Sequence, residues 1–193
     1  MKSEIEATFL NVNKDKMRAT LKEVGAVLKK PEFMQRRVVF HLPTGHEIKG
    51  GWLRVRDESD KVTMSLKVID GDRIEDQKEA CIKIDNFDEG VAILSLIGCE
   101  KKAYQESKRE LWLLDGVEVT IDEWPFLEPY VEVEGETEEI VKEVSEKLGF
   151  DYSKAYFCAV GKIYSLKYGI DEDIINNKTP EILFNGKNPF VKE

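Results

Sequence analysis

The sequence predicts an α+β fold in which eight antiparallel strands close into a barrel with helices around it. Three observations predict it. The patterning alternates between a two-residue period and a helical period along the chain. About eight segments show the strand period, and closure into a barrel buries the edges of that many antiparallel strands best. No linker divides the 193 residues, so one domain spanning 1–193 is expected, with a substantial core.

Each element has a local cause. Ile5, Ala7 and Phe9 alternate with Glu4, Glu6 and Thr8, which is strand period. Met17, Leu21, Val24 and Leu28 fall on one helical face, with Asn13 as its N-cap. Residues 35–42 read as a strand closed by the Pro43-Thr44-Gly45 turn. Residues 52–56, 62–69 and 74–84 read as three more strands, with turns at Asp57-Glu58-Ser59-Asp60 and Asp70-Gly71-Asp72. Asn86, with Glu89 three residues on, opens a helix carrying Phe87, Val91 and Leu94 on one face. Two long strands, 103–114 and 117–124, meet at Asp115-Gly116, a strong hairpin signal. Residues 130–134 form another strand. A helix over 137–148 turns Ile140, Val141, Val144 and Leu148 inward and stops at Gly149. A last C-terminal helix is expected over about 153–168, and the tail beyond Gly169 reads as irregular.

Composition narrows the function. The chain is 41% hydrophobic and 35% charged, as a globular protein is. No apolar run follows the N-terminus, so no secretory signal is expected. The apolar stretch 91–97 is far too short to span a bilayer, so no membrane partner is expected. Three widely spaced cysteines fit reduced thiols in a cytoplasm better than a disulfide frame or a zinc site. A net charge of −9 argues against nucleic acid as a partner. It leaves room for a small anion in a cleft where positive charge is concentrated. The nucleotide-loop, zinc-helix and nucleophile-elbow signatures are absent. His41 and His46 read as ordinary strand-end and turn residues.

The informative feature is the non-greasy face of each strand, since residues i and i+2 share a face. Glu4 and Glu6 share one, as do Glu132 and Glu134, and Thr120 shares one with Asp122. Arg54 and Arg56 share a face opposite Leu53 and Val55, while Thr63, Ser65 and Lys67 lie together opposite Met64 and Leu66. Glu79 lies opposite Ala80 and Ile82. On one strand alone, such charges ordinarily face solvent. As a set they do not fit that reading, because a solvated face mixes signs and like charges on one face repel. Helices with apolar faces of their own can cover the outside of a barrel and leave the charges pointing inward. Paired carboxylates suit a hard divalent ion such as Mg2+ or Mn2+. An arginine pair suits phosphate oxygens by bidentate hydrogen bonding.

This pattern resembles the CYTH superfamily, the triphosphate tunnel metalloenzymes, over most of the chain. The family's N-terminal E-x-E-x-K strand is matched by Glu4-Ile5-Glu6-Ala7-Thr8, and its arginine strand by Leu53-Arg54-Val55-Arg56. Ser65-Leu66-Lys67, Glu79, Ser107-Lys108-Arg109, Ile121-Asp122-Glu123 and Val131-Glu132-Val133-Glu134 follow in the family's order. The resemblance implies an eight-stranded tunnel. Metal would be held by Glu4, Glu6, Asp122, Glu132 and Glu134. The triphosphate would be gripped by Arg54, Arg56, Lys67 and Arg109, with Arg37 and Lys162 as further candidates and Glu79 in the tunnel wall. Glu6 and Glu134 would assist proton removal. Thr8 stands where the family has lysine, and Ser107 stands at the lysine position of K-x-R. By parity Thr8 should reach the tunnel. Glu128-Pro129-Tyr130 replaces the usual glycine-containing turn.

Three functions follow from the resemblance. The first is metal-dependent hydrolysis of a small triphosphate, inorganic or organic. The second is a class IV adenylyl cyclase, for which Trp52, Tyr104, Trp112 and Trp124 are the aromatic residues available to stack a base. The third is a module that binds triphosphate or polyphosphate without turnover. A homodimer is compatible with all three.

Overall fold

The computed structural model describes residues 1–71 and 73–191. Asp72, in the expected Asp70-Gly71-Asp72 turn, lies outside the described residues.

The chain opens with β1 (Lys2–Ser3) and β2 (Ile5–Phe9), then α1 (Lys14–Glu23), capped by Asn13, whose side chain accepts from the Lys16 N–H. The helical face expected to reach Leu28 ends sooner. Gly25 takes φ +84, a left-handed conformation that turns the chain out of the helix. Leu28 therefore lies in the next strand, β3 (Val27–Phe40), where it is exposed. This strand starts well before the expected residue 35. It tolerates Pro31 because its register against its neighbour shifts between Lys30 and Phe33.

Next come β4 (Gly51–Asp57), β5 (Val62–Ile69) and β6 (Gln77–Ile84). Ile74, expected in a strand, sits in a buried 3-10 turn before β6. Helix α2 (Phe87–Leu96) follows, then β7 (Lys101–Leu114), β8 (Val117–Glu123), β9 (Tyr130–Gly135) and α3 (Glu138–Lys147).

The expected helix over 153–168 is shorter. A 3-10 turn, Tyr152–Lys154, and an antiparallel bridge from Tyr156 to Thr8 come first, and α4 spans Val160–Tyr168. The tail is irregular only in part, with no helix or strand over residues 183–191. It forms α5 (Glu172–Asn177) and β10 (Glu181–Ile182), anchored by the buried side chains of Ile175, Ile182 and Phe190.

The strands run in the order β1-β6-β5-β4-β3-β7-β8-β9-β2, antiparallel throughout, with β10 added in parallel beside β7. Only Glu4 separates β1 from β2, and its N–H donates to the Gln77 carbonyl at 3.0 Å. One short segment thus pairs with β6 through β1 and with β9 through β2, which brings the two edges of the sheet together. The barrel is nearly closed. Its path holds nine strands where eight are expected, because the N-terminal strand changes partner at Glu4.

The apolar faces point outward. Ala7, Phe9, Val119, Ile121, Val131 and Val133 pack with Met17 and Leu21 of α1 and Val141 and Val144 of α3. Val38, Phe40 and Val55 pack with Phe87 and Leu94 of α2. Trp124 and Tyr130 differ: they lie on the inner face, line the cavity and close one end of the barrel against Ile163 and Tyr164 of α4 and Ile175. Each fully buried Val, Ile, Leu or Phe contributes about 1.5–3 kcal/mol. The interior is thereby left to the charged faces. Among the described residues, no helix is long and apolar enough to cross a membrane.

Candidate functional site

Cross-strand register sorts the interior charges into two walls. Glu6 on β2 stands opposite Glu134 on β9, which stands opposite Glu118 on β8. In the next layer Thr8 faces Glu132, and Glu132 faces Thr120. This wall is acidic. Across the barrel, Arg37 on β3 stands opposite Arg56 on β4, and Arg56 opposite Thr63 on β5. Arg54 stands opposite Ser65, and Lys67 opposite Glu79 on β6. The space between the walls is a cavity of about 870 Å³.

Glu4, Glu6, Arg37, Arg54, Arg56, Lys67, Glu79, Arg109, Glu132, Glu134 and Lys162 all line it. Two expected tunnel residues do not. Asp122 is fully buried behind Arg109, whose Nε and Nη2 donate to its two oxygens at 2.7 and 2.9 Å. Thr120 donates to the same carboxylate at 2.7 Å. Three of its roughly four acceptor sites are taken, so Asp122 fixes the Arg109 guanidinium rather than facing the cavity. Thr8 is also buried, its backbone bridged to Tyr156 and its hydroxyl without a partner. The strand-parity argument places it on the inner face, beside Glu132, but it does not line the cavity. Lys162 lies at the mouth covered by α4 and α5, half-exposed and 3.2 Å from Glu172.

Most of the cations have an acid partner. Lys67 meets Glu4 at 2.6 Å, Arg54 meets Glu79 at 2.8 Å and Arg56 meets Glu58 at 2.6 Å. Arg109 also reaches Glu132 at 2.5 Å. Burial opposes the charge on Lys67, but Glu6 and Glu4 outweigh it and hold the ammonium above its ordinary value. Burial also opposes the charge on Arg109, but Asp122 and Glu132 hold it well above its ordinary range. Glu79 is drawn down to about 2, because Arg54 and its hydrogen bonds outweigh burial.

The acidic wall is different. Burial raises Glu6 to about 7, helped by Glu134 and Glu4 and resisted by Lys67. Burial and Glu4 raise Glu134 to about 7. Burial, Glu6 and Asp122 raise Glu132 to about 8 in spite of Arg109. This surplus of carboxyl groups is what a hard cation would relieve, and the donors are all oxygen, as Mg2+ or Mn2+ require. The donor chemistry fits such an ion. Among the described residues no three acidic, histidine or cysteine side chains are gathered closely enough to hold one as they stand. The carboxylates must turn together to do so.

Arg37 stands apart. It is 6% exposed, and among the described residues no carboxylate pairs with it. Burial, then Arg56, Arg54 and Arg109, holds its guanidinium well below the usual range. Sequence patterning gives it less weight than Arg54 and passes over three further residues of the barrel interior and its mouth. Gln35 shares its face two residues away but carries no charge to draw notice. Glu118 shares a face with Thr120. Glu58, read as a turn residue, is buried against Arg56 and lines the cavity. Of the aromatic candidates, Trp52 and Trp124 line the cavity, Trp112 lies in the outer core and Tyr104 packs near α2.

The CYTH domain profile matches residues 2–163. The chain belongs to the CYTH domain family. Solved structures share the fold of this CYTH domain at low sequence identity. A conserved hypothetical protein of Pyrococcus furiosus superposes with a TM-score of 0.68 at 21% identity, over 81% of this chain and 97% of that one. An adenylate cyclase candidate of Vibrio parahaemolyticus superposes with a TM-score of 0.72 at 13% identity, over 85% and 98% of the two chains. An adenylyl cyclase candidate of Hippeastrum, described as having a dominant triphosphatase activity, gives 0.57 at 14% identity, over 86% and 96%. No curated protein matches the chain in sequence. The matched residues end inside α4, so α5 and β10 lie past the part of this CYTH domain that the profile covers.

Proposed function

We propose that this CYTH domain is a divalent-metal-dependent hydrolase of a small triphosphate compound, inorganic or organic. The observation that carries this reading is Arg37, buried without a counter-ion among the described residues, beside Arg54 and Arg56 and across the cavity from three carboxyl groups. A buried charge without a partner is costly, so the site is built for an anion that supplies several oxygens. A triphosphate does so, and its length matches a row of cations rather than one.

The residues divide the work. Arg37, Arg54, Arg56, Lys67 and Arg109 bind and align the phosphate chain. Lys162 sits at the covered mouth, near the end of that chain. Glu4, Glu6, Glu132 and Glu134 would hold Mg2+ or Mn2+. Such an ion, when bound, polarises a phosphate oxygen and makes a water more acidic. With such an ion bound these carboxyl groups would be held ionised, and an oxygen of Glu6 or Glu134 left free by the ion would accept the proton from the attacking water. Asp122 keeps the Arg109 guanidinium in place.

The test is a panel of tripolyphosphate, ATP and thiamine triphosphate, each with Mg2+ or Mn2+. Release of inorganic phosphate supports the hydrolase. Pyrophosphate with cyclic AMP overturns it in favour of a cyclase. Tight binding with no product overturns it in favour of a binding module.

A further inference from the structure

What holds Arg37 is neutral. Its Nη2 donates to Gln35 Oε1 at 2.9 Å and to Ser107 Oγ, and Ser107 Oγ donates in turn to the same Gln35 oxygen at 3.1 Å. Gln35 and Ser107 stand directly opposite each other in the β3–β7 pairing. Gln35 is 1% exposed and Ser107 0%. The Arg37 guanidinium lies 4.3 Å from the Trp124 ring centroid, which fixes its plane. Arg37 Nε and Gln35 Nε2 are left without partners. The amide oxygen faces the guanidinium because every guanidinium nitrogen is a donor.

We propose that Gln35 and Ser107 are positioning residues that aim Arg37 at a phosphoryl group while leaving its positive charge uncompensated. This rests on the triphosphate reading above. The other arginines of the tunnel wall are held by carboxylates, which steer them but cancel part of their charge. An amide and a hydroxyl steer equally well and cancel none. Ser107 then has a reason to stand where the resemblance expects lysine. A lysine ammonium there would face Arg37 in a dry layer, has no lone pair to accept its N–H, and would push it out of line. The serine is the acceptor that makes an aimed guanidinium possible.

The test compares Gln35→Glu, Ser107→Lys, Ser107→Ala and Ser107→Thr with the unaltered protein. Calorimetry measures tripolyphosphate binding, with and without Mg2+, and thermal melting measures the fold. Gln35→Glu gives Arg37 a carboxylate, so it should melt no lower than the unaltered protein yet bind at least about tenfold more weakly. A purely structural role predicts the same melting with binding unchanged. Ser107→Lys should also bind at least about tenfold more weakly, although it adds a cation. Ser107→Ala should lose about three- to tenfold, and Ser107→Thr, which keeps the hydroxyl, should recover most of it. Unchanged or tighter binding by Gln35→Glu and Ser107→Lys overturns the inference and leaves the triphosphate reading standing. An unaltered protein that binds no tripolyphosphate overturns both.

Discussion

Glu6 faces Glu134 directly across the pairing of β2 with β9. With the half-buried Glu132 nearby, these groups ionise together only at a cost, and they titrate at about 7, 7 and 8 instead of the ordinary 4.5. Between those values the folded chain keeps protons that the unfolded chain has lost. Metal-free protein should therefore lose stability as pH rises from about 4.5 through about 8. Glu79 has the opposite sign, but its contribution is lost only below about 4.5, towards 2, and does not mask the effect. Melting scans with a chelator across that range test this. A melting temperature that climbs steadily with pH rules out the raised carboxyls.

Replacing Glu6 or Glu134 by glutamine removes one of the repelling charges while keeping the shape. Each variant should stay folded, show a flatter pH dependence, and lose the activity. Its affinity for Mg2+ or Mn2+ should fall at least about tenfold, the loss of one charged contact. Calorimetry with unchanged affinity in both variants would sink the metal assignment.

Arg54 and Glu79 depend on each other inside the wall, 2.8 Å apart. Arg54→Ala should weaken tripolyphosphate binding strongly, and Arg54→Lys should recover only part, because lysine lacks the planar fork. Arg54→Ala also takes the nearest cation from the half-buried Glu79 carboxylate and should lower stability, by less than the ~3–5 kcal/mol of a fully buried pair because Lys67 stands opposite it. Adding Glu79→Gln should restore most of the stability and none of the binding. Chemical denaturation and calorimetry on the double variant separate the two effects. Recovered binding would show that Arg54 acts only by supporting the fold.

Thr8 is on the inner face but buried, with its hydroxyl unpartnered. Thr8→Val keeps the shape and removes the orphan group, so it should raise stability by about 1 kcal/mol and leave tripolyphosphate binding unchanged. Thr8→Lys should not simply add a phosphate contact, because Thr8 is buried and does not line the cavity, so the longer side chain must displace its packed neighbours. Urea melts of both variants check this. A clear loss of stability in Thr8→Val would mean that the hydroxyl has a role the buried geometry hides.

The inward face of the barrel is legible in the sequence because it is written in charge. Glu4 with Glu6, Arg54 with Arg56 and Glu132 with Glu134 repeat at two-residue spacing, and the structure brings all six to one cavity. Neutral members of the same face leave no such mark. Gln35 and Ser107 become visible only when the register places them opposite each other. The packing of the tail is hidden for a related reason. Ile175, Ile182 and Phe190 are isolated apolar residues, and their burial depends on a barrel end that no local pattern describes. Asp122 shows the limit of parity. It lies on the inner face as expected, yet Arg109 stands between it and the cavity.

The change of partner at Glu4 has a cost in time. Residues 2–9 are made before β6 and β9, the strands they join, and must wait for most of the barrel to be synthesised. Closing so large a loop is entropically slow, and until it happens the facing edges of β6 and β9 are open to other chains. Joining the ends of the sheet should therefore be a late step of folding and the one most exposed to aggregation. Clipping these few residues would unclasp a ring whose remaining strands are intact.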